Sequence, residues 1–84
     1  MTVNADPRYR LATLKRFGLH IRHLRESQGL SQEVLAAEAG FSRSYYSEVE
    51  LGKRNVSIVN MCRLAKALGV SLKILTDFEN GGCD

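Results

Sequence analysis

Four serines and four glycines divide most of the chain into short segments. A serine at a helix N-terminus accepts a hydrogen bond from a backbone N–H group that would otherwise lack a partner. A glycine just past the helix end adopts the left-handed conformation that terminates it. The serines are Ser31, Ser42, Ser57 and Ser71, and the glycines are Gly29, Gly40, Gly52 and Gly69. This pattern predicts helices joined by tight turns and argues against a strand-rich fold.

Between these serines and glycines, apolar residues recur at spacings of three and four, which predicts five helices. The first helix runs from about residue 8 to Gln28, the short second helix follows Ser31, the third spans Arg43 to Leu51, and the fourth and fifth begin after Ser57 and Ser71. We therefore expect one compact all-α domain over residues 8–79, with flexible ends at residues 1–7 and 80–84. A chain of 84 residues has room for a single domain.

Charge is unevenly distributed along the chain. The net charge is only +3, but residues 1–30 carry six basic groups against two acidic ones, and the C-terminal end is acidic. This asymmetry allows the two ends to differ in their affinity for phosphates, although solvated helix faces explain it equally well. No secretory signal and no apolar run long enough for a membrane span is present, so we expect a cytoplasmic protein.

The potential metal ligands do not form a recognisable motif. His20 and His23 lie three residues apart without further ligands nearby, and Cys62 and Cys83 belong to no CxxC pair. These residues are interpreted as surface histidines and reduced cysteines. The sequence predicts no metal, no cofactor and no small-molecule ligand, and it lacks the residue sets that an enzyme active site requires.

The second and third predicted helices are separated by a tight turn through Gly40, so they should cross steeply as a helix-turn-helix. Spacing places Tyr46 and Val49 on the inner face of helix 3, against helix 2. The residues left on the outer face are Arg43, Ser44, Ser47 and Glu48, with Tyr45 at the flank.

These outer side chains suit the major groove of duplex DNA, where each base pair has its own pattern of donors and acceptors. Arg43 can form a bidentate pair with guanine, and Glu48 can accept from a cytosine amine. Other interpretations remain open: Arg43 as a solvated arginine, Ser44 and Ser47 as neutral surface residues, and Glu48 as a solvated acid. Tyr45 either donates to a phosphate or packs on helix 2.

Five motifs together resemble the helix-turn-helix family of phage repressors and Cro proteins, over roughly residues 14–76. They are Ile-Arg-x-Leu-Arg (21–25), Gly-Leu-Ser-Gln (29–32), Leu-Ala (35–36), Val-Glu-x-Gly-Lys-Arg (49–54) and Leu-Ala-Lys-Ala-Leu-Gly-Val (64–70). The resemblance implies a five-helix lambda-repressor-like domain that reads operator DNA. It implies no catalytic activity.

The resemblance also implies roles for individual residues. Arg43, Ser44 and Ser47 match base-reading positions, and Arg25 and Glu50 match a buried ion pair. The positions implied to contact DNA phosphates are Gln32, Arg54 and Asn55. Residues 42–50 are further similar to the recognition helix of restriction-modification controller proteins. Leu51 departs from the family, which usually has a polar residue there, so one flanking contact is in doubt.

A single recognition helix reads only a few base pairs, so such regulators act as dimers on paired half-sites. Helix 5 has more apolar residues than one core requires, which predicts a homodimer interface there. The predicted interface residues are Leu72, Ile74, Leu75 and Phe78, with Leu72 also anchoring the helix inward. The alternative function is a protein-interaction module, such as an antitoxin or adaptor, built on the same fold.

Overall fold

The computed structural model describes residues 7–79, and all regular structure in this range is helical. The helices are α1 (Pro7–Ser27), α2 (Gln32–Ala39), α3 (Arg43–Glu50), α4 (Ile58–Leu68) and α5 (Leu72–Leu75). The predicted five-helix all-α fold is therefore confirmed. The predicted end segments lie outside the described residues, apart from Pro7, which begins α1. Proline suits the first helical position, where no N–H partner is needed.

Serine caps begin the last four helices as predicted. Each serine side chain accepts from the backbone N–H three residues further on, as in the 3.1 Å bond from Tyr45 N to Ser42 Oγ. Between α2 and α3, Gly40 has φ of 78° and its N–H bonds to the last turn of α2. Since this left-handed conformation is unfavourable for residues with a Cβ, glycine permits the tight turn that sets the crossing of α2 and α3.

All five helices contribute to one hydrophobic core. Its fully buried side chains include Ile21 from α1, Leu35 from α2, Tyr46 from α3, Leu64 from α4 and Leu75 from α5. Helix α3 packs between α1 and α2, while α4 packs against α2 and α5. The core therefore holds one long side of α3 and leaves the other side toward solvent. Within residues 7–79, no helix is long and apolar enough to cross a membrane.

Candidate nucleic-acid interface

Helix α3 is anchored through its inner face. Tyr46 and Val49 are 0% and 1% exposed, in agreement with the sequence-based expectation. Ser42 caps the N-terminus of the helix, and at its C-terminal end Leu51 N donates to the carbonyl of Ser47 and Gly52 N donates to the carbonyl of Val49. Because both ends and one face are fixed, the direction of the outer side chains is set by the core.

The outer face of α3 forms an open surface with the start of α2 and the loop after α3. Arg43 and Ser44 are exposed, while Ser47 and Glu48 are partly exposed. All four line one shallow depression together with Gln32, Leu51 and Lys53. The structure thus brings the predicted base-reading residues together on one surface. Leu51 is 58% exposed at its margin, an apolar residue where the family usually has a polar one.

Glu50, at the C-terminal end of α3, connects three helices through its carboxylate. Arg25 of α1 donates from Nε to Oε2 at 2.6 Å and from Nη2 to Oε1 at 3.1 Å. Gln32 of α2 donates from Nε2 to Oε1 at 2.8 Å, and the Tyr46 hydroxyl donates to Oε2. Arg25 and Glu50 are both buried, so the pair predicted from the resemblance is present as a buried network. A third Arg25 bond, from Nη1 to Leu30 O at 2.8 Å, fixes the α1–α2 turn.

The network keeps Glu50 ionised. Burial alone would raise the pKa of the Glu50 carboxyl, but hydrogen bonds from Arg25, Tyr46 and Gln32 outweigh burial, and its pKa lies below the ordinary value. Burial and the bond to Glu50 raise the pKa of the Tyr46 hydroxyl, which stays protonated. The hydrogen bond to Glu50 raises the pKa of Arg25 against the effect of burial. The charged Glu50 carboxylate therefore fixes α3 to α1 and α2 on the buried side of the helix, away from its outer face.

Two glycines bring α1 against the C-terminal end of α3. A Cβ at Gly18 would lie 2.6 Å from the carbonyl oxygen of Val49, and it would also overlap with the carbonyl of Glu50. A Cβ at Gly52 would lie 2.8 Å from Lys15 Cα. From the sequence, Gly52 was expected only as a helix stop, and no role was predicted for Gly18. A glycine inside an apolar helical stripe, as at Gly18, is the signal that could have revealed this close approach.

Tyr45 lies at the flank of α3 in a group of packed rings and polar side chains. Its ring contacts Phe41 edge to face, with centroids 5.0 Å apart, and its hydroxyl accepts from Asn60 Nδ2 at 3.2 Å. The guanidinium of Arg54 lies 5.5 Å from the Tyr45 ring centre. The ring of Tyr45 therefore packs on the turn that follows α2, and the phosphate contact of its hydroxyl stays a prediction.

Arg54 also forms an ion pair with Glu48 that was not predicted from the sequence. Arg54 Nε donates to Glu48 Oε1 at 2.7 Å. The spacing of six residues runs from a helix into a loop, so no helical periodicity could have revealed the pair. Among residues 7–79, no carboxylate forms an ion pair with Arg43. Asn55 is exposed and lines a second depression with Tyr9, Arg10, Thr13 and Leu14 of α1.

The predicted dimer residues do not form one exposed face. Leu75 is 0% exposed and belongs to the core, so its assignment to an interface was wrong. The cause is the register of α5: Leu75 lies three residues after Leu72, so both share the face that packs on the core, while Ile74 lies on another side. Leu72 and Phe78 are partly buried, and Phe78 packs on Phe17 with ring centroids 5.8 Å apart. Ile74, at 47% exposed, is the predicted interface residue that projects most clearly into solvent.

The described histidines and cysteine do not form a metal site. His20 Nε2 lies 2.8 Å from the carbonyl oxygen of Ile74 and so links α1 to α5. Cys62 is exposed on α4, and Cys83 lies outside the described residues. Across residues 7–79, no three His, Cys, Asp or Glu side chains converge in a way that could hold a metal ion.

The α2–α3 pair, joined by the tight turn at Gly40, its buried inner face and its polar outer face define a helix-turn-helix protein of the DNA-binding class. A family model described as helix-turn-helix matches residues 21–75, and the chain belongs to that family. Its relatives include control protein C.MunI from Mycoplasma sp, 46% identical over 66 residues that cover 76% of this chain and 89% of the relative.

Solved structures agree in fold and sequence. The restriction-modification controller protein C.AhdI from Aeromonas hydrophila is 50% identical, with a TM-score of 0.72 over 74% of this chain and 94% of that one. The controller protein C.Esp1396I, crystallised as a tetramer in complex with its natural 35 base-pair operator, is 30% identical. Its TM-score is 0.71, with 75% of this chain and 83% of that chain covered. The resemblance to controller proteins noted from the sequence is confirmed.

Proposed function

We propose that this protein regulates transcription by binding a palindromic DNA operator as a homodimer, as the controller of a restriction-modification system. The observation that carries the proposal is the outer face of α3, where Arg43, Ser44 and Ser47 lie in the solvent-facing depression while Tyr46 and Val49 fix the opposite face in the core. An α-helix presented in this way fits the major groove.

In this proposal the side chains divide into two groups. Arg43, Ser44, Ser47 and Glu48 read base edges, with Arg43 at the helix start as the main base contact. Phosphates on either side are contacted by residues from α2, from the flank of α3 and from the following loop, which position the helix without reading sequence. These residues are Gln32, Tyr45, Arg54 and Asn55.

The proposed homodimer places two copies of α3 in successive major grooves, about 34 to 36 Å apart. Ile74 is the centre of the proposed interface, with the exposed parts of Leu72 and Phe78 around it. Such a regulator acts in the cytoplasm, where its operator is, and needs no catalytic group.

Selection of bound sequences from a random pool of duplexes tests the proposal, followed by affinity measurements on the selected and a scrambled duplex. We expect a palindromic consensus. We also expect the logarithm of the affinity to fall linearly with the logarithm of the salt concentration, with a slope proportional to the number of phosphates neutralised. A protein-interaction module would enrich no consensus and would bind both duplexes alike and weakly. That result would contradict the proposed function.

A further inference from the structure

The ion pair between Glu48 and Arg54 joins two residues that the proposed function assigns to different parts of DNA, a base edge and a phosphate. We infer that Glu48 determines specificity by competing with DNA for Arg54. This inference rests on the proposed function and deepens it. In the free protein, Glu48 forms an ion pair with Arg54. When the protein binds DNA, Arg54 contacts a phosphate instead, and Glu48 then needs a hydrogen bond from a base amine in the major groove.

The free protein holds Arg54 from two sides. Its Nε donates to Glu48 at 2.7 Å, and its guanidinium carbon lies over the Tyr45 ring, 5.5 Å from the ring centre. Tyr45 is itself fixed, because its hydroxyl accepts from Asn60 and its ring packs on Phe41. The guanidinium is therefore kept at the margin of the outer face of α3, where the DNA backbone would approach.

A phosphate can displace Glu48 from this arrangement at little cost. The side chains of Arg54 and Glu48 are 52% and 40% exposed, and ion pairs so accessible to water contribute little. An arginine fork matches phosphate geometry, and the phosphates of a duplex provide several acceptors close together. Arg54 therefore transfers to the backbone when the protein binds.

That transfer leaves the Glu48 carboxylate without its counter-charge, in a depression that faces the negative DNA. A cytosine N4 amine in the major groove supplies a hydrogen bond to the carboxylate, whereas guanine O6 and N7 or thymine O4 present further acceptors. An unsatisfied charge at a closed interface weakens binding. Glu48 thus lowers affinity for most sequences but not for those that place a base amine within hydrogen-bonding distance of its carboxylate. Glu48 therefore gives specificity by weakening binding to other sequences.

Glu48→Gln tests this inference, because glutamine keeps the shape of the side chain and removes its charge. We expect affinity for a random duplex to rise about 1.5- to fivefold, the range corresponding to an exposed ion pair of this kind. Base selection at one pair of each half-site should relax at the same time. Glu38→Gln on α2 is the matched control, since it makes the same change in net charge at an exposed residue outside this depression.

The same substitution in an Arg54→Ala background identifies the role of Arg54. If Arg54 leaves Glu48 when DNA binds, the protein with Arg54 must break the ion pair, and Glu48→Gln removes that cost. Glu48→Gln then raises DNA affinity more in the wild-type background than in the Arg54→Ala background. If Arg54 remained on Glu48 and shielded it from DNA, the gain would be larger in Arg54→Ala. The second result overturns the inference, as does a Glu48→Gln gain no larger than that of Glu38→Gln or an unchanged base preference.

Failure of this inference is distinguishable from failure of the proposed function. If wild-type protein selects a palindromic consensus but Glu48→Gln behaves like its control, only the competition for Arg54 is lost. If wild-type protein selects no consensus, the proposed function itself fails. Circular dichroism of each variant before the binding measurement establishes that the altered surface residues have left the fold intact.

Discussion

Gly18 in the middle of α1 lies directly against the backbone carbonyl of Glu50 at the end of α3, with no space for a side chain between the two helices. The same carboxylate-bearing residue is held by Arg25, seven positions further along α1. Helix α1 therefore supports the recognition helix twice, once by close backbone approach and once by an ion pair.

Gly18→Ala is expected to destabilise the protein, although alanine favours isolated helices over glycine. A Cβ at position 18 would force α1 and α3 apart, and overpacking of this kind costs about 1 to 3 kcal/mol. Urea unfolding at fixed protein concentration measures the change in free energy. Leu19→Ala, at a half-exposed site on the same helix, should change it much less. A Gly18→Ala variant more stable than wild type would show that helix propensity outweighs the contact.

Loss of the Glu50 carboxylate should be among the most damaging single changes in α3. Glu50→Ala leaves Arg25 buried without its partner, and stranding one member of a buried ion pair costs about 3 to 5 kcal/mol. Glu26→Ala is the matched control, because it makes the same change in the exposed pair with Arg22 and should cost less than about 1 kcal/mol. Chemical denaturation of both variants measures this difference. Equal small losses would indicate that α1 and α3 are held together by apolar packing alone.

Acid should weaken the fold partly through Glu50. Since its pKa in the folded protein is below the ordinary 4.5, its contribution to stability is present above pH 4.5 and is lost as the pH falls through the lowered value. Glu50→Gln removes this titration. We expect the free energy of unfolding to fall less between pH 7 and acid in Glu50→Gln than in wild type. Parallel pH profiles for the two proteins would contradict the lowered pKa.

Arg43→Ala and Arg54→Ala should affect DNA binding differently. Arg43→Ala is expected to cost about 1 to 3 kcal/mol on the operator and to relax base preference at one position, because it removes a base contact. Arg54→Ala should weaken binding to all sequences alike, because it removes a phosphate contact. Titration of fluorescent operator and scrambled duplexes separates the two. Equal losses on both duplexes for Arg43→Ala would exclude a base-reading role.

Gln32→Ala should show a mixed effect on binding and stability. The Gln32 amide donates to Glu50 at 2.8 Å, so its removal loosens the support of α3 in addition to losing a phosphate contact. We therefore expect weaker binding to every duplex together with lower stability. Measuring urea unfolding alongside DNA affinity distinguishes this from a pure phosphate contact, for which stability would be unchanged.

Substitutions in α5 separate the proposed dimer interface from the core. Ile74→Asp adds a charge at an exposed site and should shift the protein toward monomer and abolish operator binding, with the helical content unchanged. Leu75→Ala should instead lower stability by about 2 to 5 kcal/mol, because it opens a cavity in the core. Sedimentation and circular dichroism record both effects. An Ile74→Asp protein that still sediments as wild type would place the interface elsewhere.

The sequence was sufficient to predict the helices and the orientation of α3. Serine caps, glycine stops and helical spacing are local signals, so Ser42, Gly40 and the Tyr46–Val49 face could be derived from neighbouring residues alone. Contacts between distant segments could not be predicted in this way. The Gly18–Glu50 approach and the Glu48–Arg54 pair depend on how helices cross and where a loop returns. Leu75 was misassigned because periodicity identifies apolar faces without showing how much of each a short helix can bury.

The buried network beneath α3 involves Arg25, Gln32, Tyr46 and Glu50, and leaves Arg43, Ser44 and Ser47 out of its hydrogen bonds. Retargeting this protein to another operator can therefore proceed by exchanging outer residues one at a time, with the supporting scaffold unchanged. Relatives that share the network are suitable donors of new outer residues, since their α3 helices would present side chains in the same register.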